Sequence, residues 1–148
     1  MTIEELLDRE EIRLLQARYN INGDRGLVDA LAETFAEDGA IDFNGERTTG
    51  RAAIAARLGS GVGRPGGTTV MRHHLGQQWL EIDGDSAKGR TYFAMLNDIG
   101  VDHHGVYVDT MVRTPEGWRF ALREVRIDWQ TPETLSPPMN VRGRKPAD

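Results

Sequence analysis

Two side chains far apart in the chain, Asp24 and His73, are of the types that move protons at neutral pH. A free imidazole has a pKa of about 6.5, so it can take up a proton near neutrality and release it again. A carboxylate bonded to one ring nitrogen fixes the tautomer and stabilises the imidazolium formed on proton abstraction. Such a pair works only if the fold carries acid and ring to one cavity. Each residue also has a plainer reading. Asp24 stands just before a segment with helical spacing, where an aspartate commonly caps a helix N-terminus. His73 adjoins His74, and neighbouring strand residues point to opposite faces. Both enter an interior only if a bulge intervenes; otherwise one of them sits at a sheet surface or a subunit contact.

A second histidine pair, His103-His104, combines with His73 or His74 into a conceivable metal site. Metal ligation wants two or three converging imidazoles, often with a carboxylate. The preceding run, 98–102, reads as a loop, and no metal or other cofactor is expected. Arg123 falls near the end of the chain, where a guanidinium either holds a leaving group or anionic substrate group or pairs with a nearby acid. Tyr107 and Asp109, two apart, share a strand face and either line a cavity or brace it. Met71, Trp79, Phe93 and Met95 belong to a wall or a core. The glycine-rich run 59–67 lacks the Gly-Lys-Ser/Thr ending of a phosphate loop and comes after a helix rather than a strand.

These residues must be positioned by helices and then by strands. Thr2 and Glu5 fit a capping box, and Ile12, Leu15 and Tyr19 fall on one helical face that Leu7 and Leu14 widen, predicting a helix over 3–20. On that spacing Tyr19 is an ordinary core aromatic. The run 22–26 is turn chemistry. Leu27, Leu31 and Phe35 predict a second helix ending at 37–39, and 51–58 a third, short one. A strand is expected over 40–43, a flexible loop over 59–67, and long strands over 68–82, 86–96, 105–113 and 118–129, where β-branched and aromatic residues concentrate. Tight turns at 83–85 and 115–117 make these strands pair antiparallel. Helices first and a meander after is an α+β order.

The 148 residues suffice for one domain, expected over 1–130, with an irregular proline-rich tail over 131–148 that ends in Arg142, Arg144 and Lys145. The net charge of −5 argues against a nucleic-acid partner, which needs a clustered basic face. The absence of cysteine removes disulfides, thiolate metal sites and thiol nucleophiles, and fits a reducing compartment. The acidic start lacks the features of a secretory signal, and no apolar run approaches the roughly 20 residues that span a bilayer. A soluble, cytoplasmic protein without a membrane partner is the expectation.

Several stretches together resemble one family. They are 17–19 (Ala-Arg-Tyr) with 23–26 (Gly-Asp-Arg-Gly), 35–40 (Phe-Ala-Glu-Asp-Gly-Ala), 72–76 (Arg-His-His-Leu-Gly) with 80–87, 105–109, and 117–120 with Arg123. In order and spacing they are similar to the SnoaL-like branch of the nuclear-transport-factor-two-like superfamily. Its relatives include polyketide cyclases, scytalone dehydratase, bile-acid dehydratase and hexachlorocyclohexane dehydrochlorinase. The resemblance implies a cone-shaped α+β barrel, with N-terminal helices packed in a strongly curved antiparallel sheet around an apolar interior that binds a small hydrophobic ligand. It implies a homodimer or homotrimer. It implies an Asp–His dyad at Asp24 and His73, with Tyr19 and Arg123 as further catalytic residues, in a cofactor-independent lyase or isomerase acting on a small hydrophobic, cyclic substrate. Among substrate-binding positions it points to His74, Tyr107 and His104, the last standing for the second histidine of scytalone dehydratase. Met95 falls where the bile-acid dehydratases carry a further carboxylate. The same superfamily holds ligand carriers and the small subunits of ring-hydroxylating dioxygenases, so a non-catalytic binding or assembly module is the rival reading.

Overall fold

The computed structural model describes residues 1–61, 68–139 and 141. Helix α1 runs Ile3–Asp24. Thr2 opens it, its hydroxyl oxygen accepting the Glu5 N–H at 3.1 Å. Ile12, Leu15 and Tyr19 are buried along one stripe. Burying Ile12 and Leu15 stabilises the packing of α1 on the sheet by roughly 1.5–3 kcal/mol each. Leu7 and Leu14 do not widen the stripe; they face solvent.

The helix continues four residues beyond the expected end. Gly23 is a close-approach glycine and not a turn residue, because a Cβ there would meet Leu31 Cδ1 at 3.0 Å. The turn comes after it, at Gly26, whose φ of 74° suits glycine. Helix α2 is only Val28–Ala32. Phe35 belongs to the next strand, because the Phe120 N–H donates to Thr34 O at 3.0 Å and Phe35 lies opposite Phe120. Tertiary pairing has overridden the i, i+4 spacing.

Strands β1 (Phe35–Phe43) and β2 (Glu46–Thr49) form a hairpin around Asn44-Gly45, both at positive φ. Helix α3 comes next (Arg51–Gly61), then β3 (Met71–Asp83), β4 (Ser86–Asn97), β5 (Gly100–Thr114) and β6 (Gly117–Gln130). The expected flexible loop keeps only its first residues within the described chain, as the end of α3; 62–67 lie outside the described residues. The basic end at 142–148 lies outside them as well.

The six strands make one curved sheet in the order β2-β1-β6-β5-β4-β3. The α+β class and the helices packed on a curved sheet are as expected, with two differences. The sheet is not closed into a barrel, since β2 and β3 are its two ends. It is also not wholly antiparallel, because β1 runs parallel to β6. The α3 helix and the strand meander between them form the long crossover that a parallel pair requires. On the concave face Tyr19 stands edge-on to Phe35, Tyr107 and Phe120 at 5.9–6.0 Å. Ile41, Ile54, Met111, Trp118, Val125 and Ile127 complete the core around them.

Candidate functional site

The last residue of α1 meets the edge strand β3. Asp24 is buried, and one carboxylate oxygen, Oδ2, accepts the His73 backbone N–H at 2.8 Å. The other, Oδ1, lies 2.6 Å from His73 Nδ1. A carboxylate only accepts, so Nδ1 carries the hydrogen, and in the neutral ring the lone pair is on Nε2. Asp24 therefore does not cap α2, whose N-cap residue is Leu27 and has no side-chain cap bond. Strand alternation separates the two histidines: His73 lines the cavity and His74 is exposed on the other face, away from the wall where the resemblance placed it.

Beside this pair stands a second one that sequence reasoning misses. His103 Nδ1 is 2.8 Å from Asp102 Oδ1, and both residues are buried. Alternation should put neighbours on opposite faces. Here Met95 pairs with His103 while Leu96 pairs with Val101, so Asp102 is the extra residue of a β-bulge. The bulge turns both side chains inward. The region 100–104 is strand and not loop, which is why His103, not His104, reaches the interior. His104 is exposed and stacks on Trp129 at 5.6 Å. An acid directly before a histidine in 102–103 is the available signal, masked by the loop reading.

Burial opposes the Asp102 charge, but hydrogen bonds from His103, Thr134, the Leu135 N–H and Asn97 outweigh it and hold the carboxyl well below the usual range. Burial pushes the His103 ring down, its bond to Asp102 pushes back, and the nearby His73 adds to the downward side. The two imidazole centroids are 6.3 Å apart at 74°. Phe93 contacts both rings at 6.1 and 6.2 Å and stacks on Tyr107 at 4.3 Å.

Asp24, His73, Phe93, His103 and Tyr107 line one cavity of about 480 Å³, with Asp102 behind His103 and outside the lining. Its apolar wall includes Val28, Leu31, Leu58, Met71, Met95, Val125 and Ile127. Tyr19 and Tyr107 are in the wall, and burial raises both phenols above their ordinary value, so both keep their protons at neutral pH. The Tyr107 hydroxyl donates to Asn20 Oδ1 at 3.0 Å. Trp79 is not wall or core but mostly exposed. A further contribution, also unforeseen, comes from beyond β6: Leu135, Ser136, Pro137, Pro138 and Met139 close part of the wall.

The geometry does not bring Arg123 to this wall. Its guanidinium is fully buried and makes two bonds of 2.8 Å to Asp109. Tyr19, Tyr107 and Phe120 surround it at 4.0–4.2 Å from their ring centroids. Of the two readings open at the sequence level, this arrangement is the ion pair. Among the described residues, no three His, Asp or Glu side chains are grouped as a metal would need.

A family model described as a SnoaL-like domain matches residues 4–124. An uncharacterized protein of Mycobacterium tuberculosis is 31% identical over 130 residues, covering 83% of this chain and 87% of its own length. Among solved structures, a nuclear-transport-factor-two-like protein with a cystatin-like fold from Novosphingobium aromaticivorans superposes with a TM-score of 0.73 at 34% identity, covering 82% of both chains. A candidate scytalone dehydratase from the same organism superposes with a TM-score of 0.81 over 98% of this chain and 99% of its own, at 24% identity, a likeness of fold.

Proposed function

Because the chain belongs to the SnoaL-like family and holds two carboxylate-anchored imidazoles against one apolar cavity, we propose that it is an enzyme that removes a proton from a small hydrophobic, ring-containing substrate, as a lyase or isomerase of dehydratase type. The observation that carries this reading is the double hold of Asp24 on His73: one oxygen on the backbone N–H at 2.8 Å, the other on Nδ1 at 2.6 Å. That hold leaves Nε2 as the base and stabilises the imidazolium once it forms.

In the proposed elimination, His73 Nε2 takes a proton from carbon next to a carbonyl. The C–H electron pair becomes the new double bond, and the leaving hydroxyl departs from the adjacent carbon with its bonding pair, taking the proton back from the His73 imidazolium to leave as water. Tyr19, held protonated, donates to the carbonyl or leaving oxygen. His103, kept neutral by burial, offers its Nε2 as an acceptor for a substrate hydroxyl. A cavity of about 480 Å³ lies in the size range of small-molecule sites. These steps use the chain's own side chains. We further propose cytoplasmic residence and a homodimer or homotrimer. The exposed Trp79, Tyr92 and Trp129 on the outer sheet face favour self-association. Among the described residues no helix is long and apolar enough to cross a membrane.

The test is a deuterium-exchange assay in D2O, read by NMR, over a panel of cyclic ketones and β-hydroxy ketones. Asp24→Ala and His73→Gln should lower the exchange rate about 10²–10⁴-fold with ligand binding retained. An Asp24→Ala protein that binds and exchanges at the unmodified rate removes the dyad from the mechanism.

A further inference from the structure

The segment after β6 is irregular yet closely tied. The Thr134 hydroxyl lies 2.9 Å from both carboxylate oxygens of Asp102, and the Leu135 N–H donates to Oδ2 at 3.0 Å. The Thr131 N–H donates to the Asp102 backbone oxygen at 2.8 Å. Gln130 holds the rest: its amide NH2 donates to Pro137 O, and its Oε1 accepts the Met139 N–H at 3.0 Å. Leu135 to Met139 then form cavity wall. The carboxylate that fastens this segment is the one bonded to His103 Nδ1.

We propose that Asp102 is a positioning residue joining two parts of the site: its carboxylate couples the protonation of His103 to the docking of residues 131–139 on the cavity. A carboxylate has limited lone-pair density, and the Thr134 and Leu135 donors compete with the ring for it. When His103 gains a proton its pull on Asp102 strengthens and the segment's bonds weaken. When the segment's bonds are lost, Asp102 becomes a better acceptor for the ring and water reaches His103, so the ring takes a proton more readily. The two statements are one coupling free energy read from either side.

The charges facing His103 permit this. His73 faces it from β3 with Asp24 behind, and His104 and Asp102 come from its own strand. Its partners across β4 and β6 are Met95 and Gln130, which do not titrate. The inference holds whatever reaction the cavity serves, since neither half of the coupling involves substrate.

The experiment is a pH titration of full-length protein labelled with 15N-histidine, tracking His103 by NMR, with hydrogen exchange at the Leu135 and Met139 amides corrected for intrinsic pH dependence. Thr134→Val removes the donor at nearly constant volume, and Thr134→Ser restores it. In Thr134→Val the His103 pKa should rise by about one unit, and amide protection at Leu135 should fall at least tenfold; Thr134→Ser should match the unmodified protein in both. In the unmodified protein, protection at the two amides should drop over the pH range in which His103 charges. A His103 titration unmoved by Thr134→Val, or amide protection indifferent to the charging of His103, overturns the coupling. Neither readout measures turnover, so a failed elimination assay leaves this test intact.

Discussion

Replacing Arg123 by methionine tests whether that residue serves the fold and not the reaction. Both members of the Arg123–Asp109 pair are inaccessible to solvent, and the guanidinium Nε and Nη2 each donate to one Asp109 carboxylate oxygen at 2.8 Å. Methionine fills much of the volume among Tyr19, Tyr107 and Phe120 but leaves the Asp109 carboxylate buried without a counter-charge. Breaking one side of such a pair costs about 3–5 kcal/mol, a large part of the roughly 5–15 kcal/mol that holds a domain together. At a urea slope of about 1–3 kcal/mol per molar the unfolding midpoint should fall by more than 1 M. Two controls rest on the same reasoning. Adding Asp109→Leu to Arg123→Met removes the stranded charge, so the double variant should be more stable than the single one. Burial already pushes the Asp109 carboxyl up, with the guanidinium pulling against it; without the guanidinium, burial acts alone. A group whose folded pKa is raised keeps its full contribution below its unfolded value, about 3.9, and loses it as pH rises through the folded value. The deficit of Arg123→Met should therefore be smaller near pH 4 than near pH 8. A single variant within about 1 kcal/mol of the unmodified protein, or a deficit equal at both pH values, would refute the reasoning.

Two other substitutions have expected outcomes. Gly105→Ala puts a Cβ 1.9 Å from Arg126 O and 2.9 Å from the Arg126 carbonyl carbon. Backbone cannot yield cheaply there, so the variant should lose about 3 kcal/mol or more in a thermal or urea melt. Tyr107→Phe strips the buried Asn20 Oδ1 of its donor. It should cost about 1–3 kcal/mol in urea unfolding while the Phe93 stack and the cavity volume persist.

The helix-then-meander order is legible because it rests on features a sequence carries directly, periodicity and turn chemistry. The Asp24–His73 pairing is legible only through the likeness of motifs to the family, since on local pattern alone Asp24 reads as a helix cap. The features that escape depend on partners remote in the chain. Phe35 reads as helical until Phe120 arrives beside it. Gly23 looks like a turn residue until Leu31 is seen against it. His103 is passed over for His104 because a bulge adds one residue to a strand and reverses the facing of the residues after it. Arg123 takes its catalytic reading from likeness of position, and no local pattern announces that Asp109 will bind its Nε and Nη2. The wall built by 135–139 carries no periodicity at all.

The parallel pairing of β1 with β6 sets a timetable for synthesis. β1 leaves the ribosome early, but the strand that completes its inner edge is the last of the six to be made. Until then Phe35, Ile41 and the α1 stripe have no cover on that side, and closing so long a loop is entropically slow. The nascent first half must wait with apolar surface showing, the condition under which a chain draws on chaperones. A chain ending before Gly117 would leave Phe35 and Ile41 without their β6 partners Phe120 and Arg123.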